Sequence, residues 1–265
     1  MSKFVVATFD GEAKAYEGKR AFKELHAEGD LTLYGIAVIA KDAGGKLSVK
    51  EAPDELPGTA IGSLVGALVG ILGGPAGVIV GMTTGMLLGS ISDLLDIGVG
   101  ADFLDKVSRD LAPGKAAVIA EVDEDWVTPL NTRMEAIGAS VEREWRSDFE
   151  EVEIEKDTAA RKAELAQLKA ELAQSRAEAK AKLQKRINEV KAKLDELANQ
   201  AQASLQKLET STNAKISALN DQIAKANAEN KARIKQRLVE LRADHDRRAA
   251  KLKQAGALIK EALAA

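Results

Sequence analysis

Residues able to do acid–base, nucleophilic or metal chemistry are few in this chain, and their spacing is poor. Only two histidines occur, His26 and His245. Neither has a second histidine at the three- or four-residue spacing that sets two ligands on one side of a helix. Cysteine is absent, which excludes disulfides, thiolate zinc sites and a cysteine nucleophile and fits a reducing compartment. Asp123-Glu124-Asp125 and the pair Asp102/Asp105 could attract a hard cation, but acids at helix starts more often serve caps and the helix dipole. His26 falls near the end of a helix, where a cation suits the opposite pole. His245 stands between Asp244 and Asp246, and neither imidazole is placed to activate a serine. The expectation is a protein with no catalytic residue, no metal and no cofactor, and hence not an enzyme.

Glycine is where the pattern lies. From Leu56 to Ser92 there is no ionisable side chain, and ten of the 21 glycines fall in this stretch. Gly58, Gly62, Gly66 and Gly70 step by four; Gly73-Gly74-Pro75 interrupts; Gly77, Gly81, Gly85 and Gly89 step by four again. A phosphate loop is a weaker reading, since no Gly-Lys-Ser/Thr ending follows. On a helix a step of four drifts only about 40°, so each quartet makes a side-chain-free stripe. Two such helices can press backbone to backbone, as small-xxx-small pairs do in lipid. Residues 57–93 are therefore expected to form a glycine-zipper hairpin, each arm of about 17–18 residues just reaching the lower limit for spanning a bilayer.

The elements around this stretch read as alternating strands and helices. Strands are expected over 3–9, 31–40, 46–51, 115–122 and 140–145, with Asp42–Gly45 turning a hairpin between the second and third. Helices are expected over 12–28, 101–111 and 126–137. Trp126 and Trp145 are expected as packing residues of the last helix–strand unit. The order β-α-β-β-α-β plus an αβ unit predicts an α+β fold, with residues 1–147 forming a ferredoxin-like (split βαβ) head.

The run Phe103-Leu104-Asp105-Lys106-Val107 through Leu111-Ala112-Pro113-Gly114-Lys115-Ala116-Ala117-Val118, set after a Gly-rich apolar insertion, resembles the bacterial membrane-protein family called domain of unknown function 1269. The resemblance covers roughly residues 3–146. It implies a bacterial source and membrane association, and no catalytic residue.

Residues 148–265 form a second region of different composition. The head carries 14 Lys/Arg against 22 Asp/Glu and the tail 24 against 19, an asymmetry that suggests an anionic or self-complementary partner for the tail. No Gly or Pro occurs from Ala139 to Ala255, and strong helix formers dominate. A seam runs through Leu165, Leu168, Leu172, Leu183, Ile187, Val190, Leu194, Leu197, Leu205, Leu208, Ile216, Leu219, Ile223, Ile234, Leu238, Leu241, Leu252 and Ile259. Its period of about 3.6 predicts long, nearly straight helices in a coiled-coil tail. A continuous helix is favoured. The alternative is a helical hairpin turning at Glu209–Asn213, the one run of poor helix formers.

Function is expected to lie in assembly. The leading reading is a membrane-associated, self-assembling scaffold at the bacterial cytoplasmic membrane, head and tail cytoplasmic, whose partners are itself and membrane lipid. The alternative is a soluble cytoplasmic homo-oligomeric shell, ring or filament component, with the hairpin buried between subunits. A second alternative is a small-ligand sensor using the sheet. Nucleic acid is disfavoured, because the tail's bases interleave with acids and no aromatic residue follows Phe149.

Overall fold

A computed structural model of the chain describes residues 2–55, 61–72, 99–145 and 149–264. The elements are β1 (Lys3–Phe9), α1 (Glu12–Glu28), β2 (Leu31–Lys41), β3 (Leu47–Glu55), α2 (Ile61–Leu72), α3 (Ala101–Asp110), β4 (Ala116–Glu124), α4 (Thr128–Ile137), β5 (Ser140–Trp145), α5 (Phe149–Gln174), α6 (Ala177–Lys225) and α7 (Ala228–Ala264). The α+β class follows from the sequence pattern, and the head elements fall within a few residues of their expected bounds.

The strands form one antiparallel sheet in the order β3-β2-β4-β1-β5. A split βαβ unit is present, because β1 and β2 both run antiparallel to the strand between them. That strand is β4, whereas a ferredoxin-like order would place β3 there. The residues explain the difference. Every residue of β4 is buried, and Ala116, Ala117, Val118, Ile119 and Ala120 offer small or apolar side chains to both faces. β3 carries Lys50, Glu51, Pro53 and Asp54; a proline that cannot donate and a run of charges belong on an edge.

Each face of the sheet carries its own core. On one, Phe4, Val6, Ala37, Ile39, Ala117 and Ile119 pack against Ile61, Leu64, Val65, Leu68 and Val69 of α2 and Phe103 and Val107 of α3. On the other, Val5, Ala7, Phe9, Val38, Val118 and Val122 pack against Phe22 and Leu25 of α1 and Leu130 and Met134 of α4. Each fully buried large aliphatic or aromatic side chain contributes about 1.5–3 kcal/mol. A register shift in β2 sets Leu33 opposite Val122 and Gly35 opposite Glu121, leaving Tyr34 as the extra residue. This bulge aims Tyr34 into a third small cluster with Leu219 and Ile234.

That cluster shows that the compact units do not follow the chain. One unit combines residues 1–147 with Ser211–Arg242; the other combines Asp148–Thr210 with Ala243–Ala265. The favoured uninterrupted tail helix is therefore corrected. The chain breaks at Ser175-Arg176 and again at Ala226-Asn227. At the second break Asn227 Oδ1 accepts the Asn230 N–H at 2.9 Å, an N-cap that starts α7. The run Glu209–Asn213 stays helical. Thr210 Oγ1 donates to the Gln206 carbonyl at 2.9 Å, and Ser211 and Thr212 are buried.

Within the second unit, Leu165 of α5, Ile187, Val190 and Leu194 of α6, and Ile259 and Leu263 of α7 share one buried cluster. Ile154, Ala201, Leu205, Leu208, Ala249 and Leu252 share another. Buried polar contacts fix the register: Arg248 Nη2 lies 2.6 Å from Glu151 Oε1, and Ser204 donates to Glu150. An ion pair of this kind specifies alignment more than it adds stability.

Candidate functional site: a helical clasp on the sheet

In the first unit the helical tip, residues 211–225 of α6 and 228–242 of α7, meets the ends of α1, β2 and β4 through buried polar groups. Ser211, Lys215 and Gln222 stand at spacings of four and seven, which sets them along one side of α6. All three are buried. Lys215 Nζ pairs with Glu121, donates to Ser2 Oγ at 3.1 Å, and lies 4.8 Å from the centroid of the Tyr34 ring. From α7, the fully buried Arg237 reaches both Asp125 oxygens at 2.8 and 3.3 Å. It also donates to Thr32 Oγ1 at 3.1 Å and to the carbonyls of Asp30 and Gly29 at 3.0 and 3.3 Å. A planar guanidinium with five fixed donors suits this fork of acceptors, which a lysine could not match.

Gln222 makes the third contact. Its Nε2 donates to the carbonyls of His26 at 2.7 Å and Leu31 at 2.9 Å, and its Oε1 accepts from Thr32 Oγ1 at 2.7 Å. Asn230 donates to the Glu28 carbonyl, so the last turn of α1 is capped from α7.

These contacts revise the expected roles of several residues. Asp123, Glu124 and Asp125 end a strand instead of opening a helix. Asp125 holds Arg237, and Glu124 accepts from Arg143 at 2.7 Å and from Lys3 at 3.3 Å. Burial raises the Asp123 carboxyl above the ordinary carboxylate range. The Tyr34 phenol is also raised, first by burial and then by the carboxylates of Asp123 and Glu121. His26 is not a dipole-paired cation. Its Nδ1 accepts the Leu33 N–H at 3.2 Å, and burial, together with Lys225 and Arg237, lowers its pKa from 6.5. Trp126 and Trp145 are not packed inside: they are 56% and 58% exposed. The Lys3 ammonium sits 4.4 Å from the Trp145 ring, and the Arg233 guanidinium 5.9 Å from that of Trp126. Beside Trp126 runs a groove of about 660 Å³ between Glu28, Asp30, Pro129 and Arg133. On its wall Arg133 Nη2 donates to the Glu28 carboxylate, 2.9 and 3.1 Å from its two oxygens, and Nη1 donates to Glu24 at 3.0 Å.

The two expected interaction elements are placed as follows. Gly62, Gly66 and Gly70 lie on α2; Gly58, Gly77, Gly81, Gly85 and Gly89 lie outside the described residues. The sheet-facing side of α2 is filled by Ile61, Leu64, Val65, Leu68 and Val69. At 100° per residue the glycine stripe is centred roughly 130° round the helix from that side. Among the described residues no helix is long and apolar enough to cross a membrane. The seam is divided. Leu165, Leu168, Leu172, Ile187, Val190, Leu194, Leu197, Leu205, Leu208, Leu252 and Ile259 face one another inside the second unit. Leu219, Ile223, Ile234, Leu238 and Leu241 cluster with Tyr34 in the first. Leu183 and Ile216 are half-buried in neither cluster.

Sequence reasoning missed Lys215, Gln222, Thr32 and Arg237. In a tail where Lys, Arg and Gln recur at every turn, nothing distinguishes Lys215, Gln222 and Arg237 as the three that enter a core, and Thr32 is one polar residue in an apolar strand. Among the described residues no group of three or more His, Cys, Asp or Glu could hold a metal ion.

Over residues 59–159 the chain matches the model of the family described as Protein of unknown function (DUF1269). The matched segment contains α2, α3, β4, α4, β5 and the start of α5. No curated protein and no solved structure matches the chain.

Proposed function

We propose that the chain is a non-enzymatic, self-associating structural protein whose copies meet through the glycine stripe of α2. One observation carries this reading. A helix with no charged residue sets Ile61, Leu64, Val65, Leu68 and Val69 on the sheet and keeps the buried Gly66 and half-buried Gly62 and Gly70 on another side. A helix apolar all round needs cover on every side, and a glycine stripe is the surface on which another helix approaches most closely. The tail seam is a weaker candidate for this role, since all of its leucines and isoleucines except Leu183 and Ile216 cluster with partners within the chain.

A second reading puts lipid against the stripe. It is favoured by the absence of any ionisable residue from Leu56 to Ser92. α2 by itself, 12 residues long, would cover about 18 Å of a hydrocarbon core about 30 Å thick.

The test is to place leucine at the half-buried Gly62 and Gly70 together. Sedimentation in detergent-free buffer should then give a smaller species than the parent, with the fold intact by circular dichroism. A parent that pellets with membranes and disperses only in detergent would favour the lipid reading. An unchanged assembly in Gly62→Leu/Gly70→Leu would remove the stripe as the contact surface.

A further inference from the structure

We infer that His26 is a proton-sensitive latch for the helical tip formed by residues 211–242: its neutral ring is part of the seat of Gln222, and protonation at Nδ1 loosens the tip from the sheet. The geometry is one of donors and acceptors. Nδ1 accepts the Leu33 N–H at 3.2 Å and stands 3.3 Å from Gln222 Nε2. The Gln222 amide cannot rotate to help, since its nitrogen serves two carbonyls and its oxygen accepts from Thr32. The Leu33 N–H donates to Nδ1, which must therefore carry a lone pair, and the Gln222 amide nitrogen beside it has both hydrogens on carbonyls and no lone pair to offer; the proton of the neutral ring resides on Nε2. A second proton would aim an N–H at two donors and break the site from within.

The surrounding charges act in the same direction. From α6 the ring faces Lys225 and from α7 Arg237, both cations. The nearby carboxylates are already engaged, Asp125 by Arg237 and Asp30 by Arg233 at 3.6 Å. Burial and these cations hold the ring pKa below 6.5 while the tip is docked. A pKa lower in the docked state than in the released one means that docking is at full strength above about pH 6.5. It weakens as the pH falls below that value, by up to tenfold per unit, until the docked-state pKa is passed.

Trp126 lies beside Arg233 of α7, and Trp145→Phe leaves it the only tryptophan of the full chain. In that parent, lowering the pH from about 8 to about 5 should shift Trp126 emission, with a midpoint below 6.5. Backbone hydrogen exchange across residues 211–242 should accelerate over the same range. His26→Gln, whose amide oxygen can still accept from Leu33, should abolish both changes. A transition that survives His26→Gln would belong to the buried Asp123 and overturn the assignment, as would constant exchange across 211–242 in the parent. Should His26→Gln fail to fold, the ring itself can be titrated by NMR in the unsubstituted chain. An unprotonated Nδ1 and a pKa below 6.5 are expected, and a value at or above 6.5 would overturn the latch.

Discussion

A methyl group at Gly18 would run into the ring of Phe9, which is buried under α1 and has nowhere to move. Helix propensity alone would reward Gly18→Ala by about 1 kcal/mol, but overpacking a filled core costs about 1–3 kcal/mol. Urea denaturation of Gly18→Ala should accordingly show a loss of stability, and a gain would mean that α1 sits farther from β1 than described. The Lys215–Glu121 pair gives the second residue-scale prediction. Both side chains are buried, so Lys215→Met should cost about 3–5 kcal/mol by taking a buried cation away from the Glu121 carboxylate. Removing both charges in Lys215→Met/Glu121→Leu should recover most of that loss in a double-mutant cycle. If the double substitution lost as much as the two single ones added, the pair would not be acting as a unit.

At the scale of elements, what the sequence disclosed depended on whether an element carried its own punctuation. Asp10-Gly11, Gly29, Asp42–Gly45, Pro113-Gly114 and Gly138 bracket the head elements. Gly29 and Gly138 end α1 and α4 at φ of 81° and 80°, in the left-handed region where glycine is favoured. β3 announces its edge position through Pro53 and its charges. The tail has no such marks. Its breaks at Ser175-Arg176 and Ala226-Asn227 contain neither Gly nor Pro, while the weak helix formers of Glu209–Asn213 keep their helix through Thr210 and the burial of Ser211 and Thr212. Composition pointed to the wrong turn because tertiary burial outweighs propensity there. Of the clasp, His26 and Asp125 stood out in the sequence but with the wrong roles, since their partners lie 196 and 112 residues away along the chain. The cap at Asn227 is open to test. Asn227→Ala should cost about 1 kcal/mol in thermal or urea unfolding, and a neutral result would show that the turn is held by packing alone.

At the scale of the whole chain, two helical features look alike as assembly devices and differ in what already covers them. The tail seam is used internally, and the glycine stripe of α2 is proposed as the surface on which copies meet. Locking the tail within its own chain separates the two. Lys162 of α5 and Glu261 of α7 form an exposed ion pair at 2.9 Å, and the chain has no cysteine to interfere. Lys162→Cys/Glu261→Cys can therefore be joined with a short bis-maleimide and its native mass measured in detergent-free buffer. A crosslink within single chains and a multi-subunit mass equal to that of the uncrosslinked protein are expected. A crosslink between chains, or collapse of the locked protein to the 28.2 kDa of one chain, would contradict that expectation, because the tail would then be the element that binds copies together.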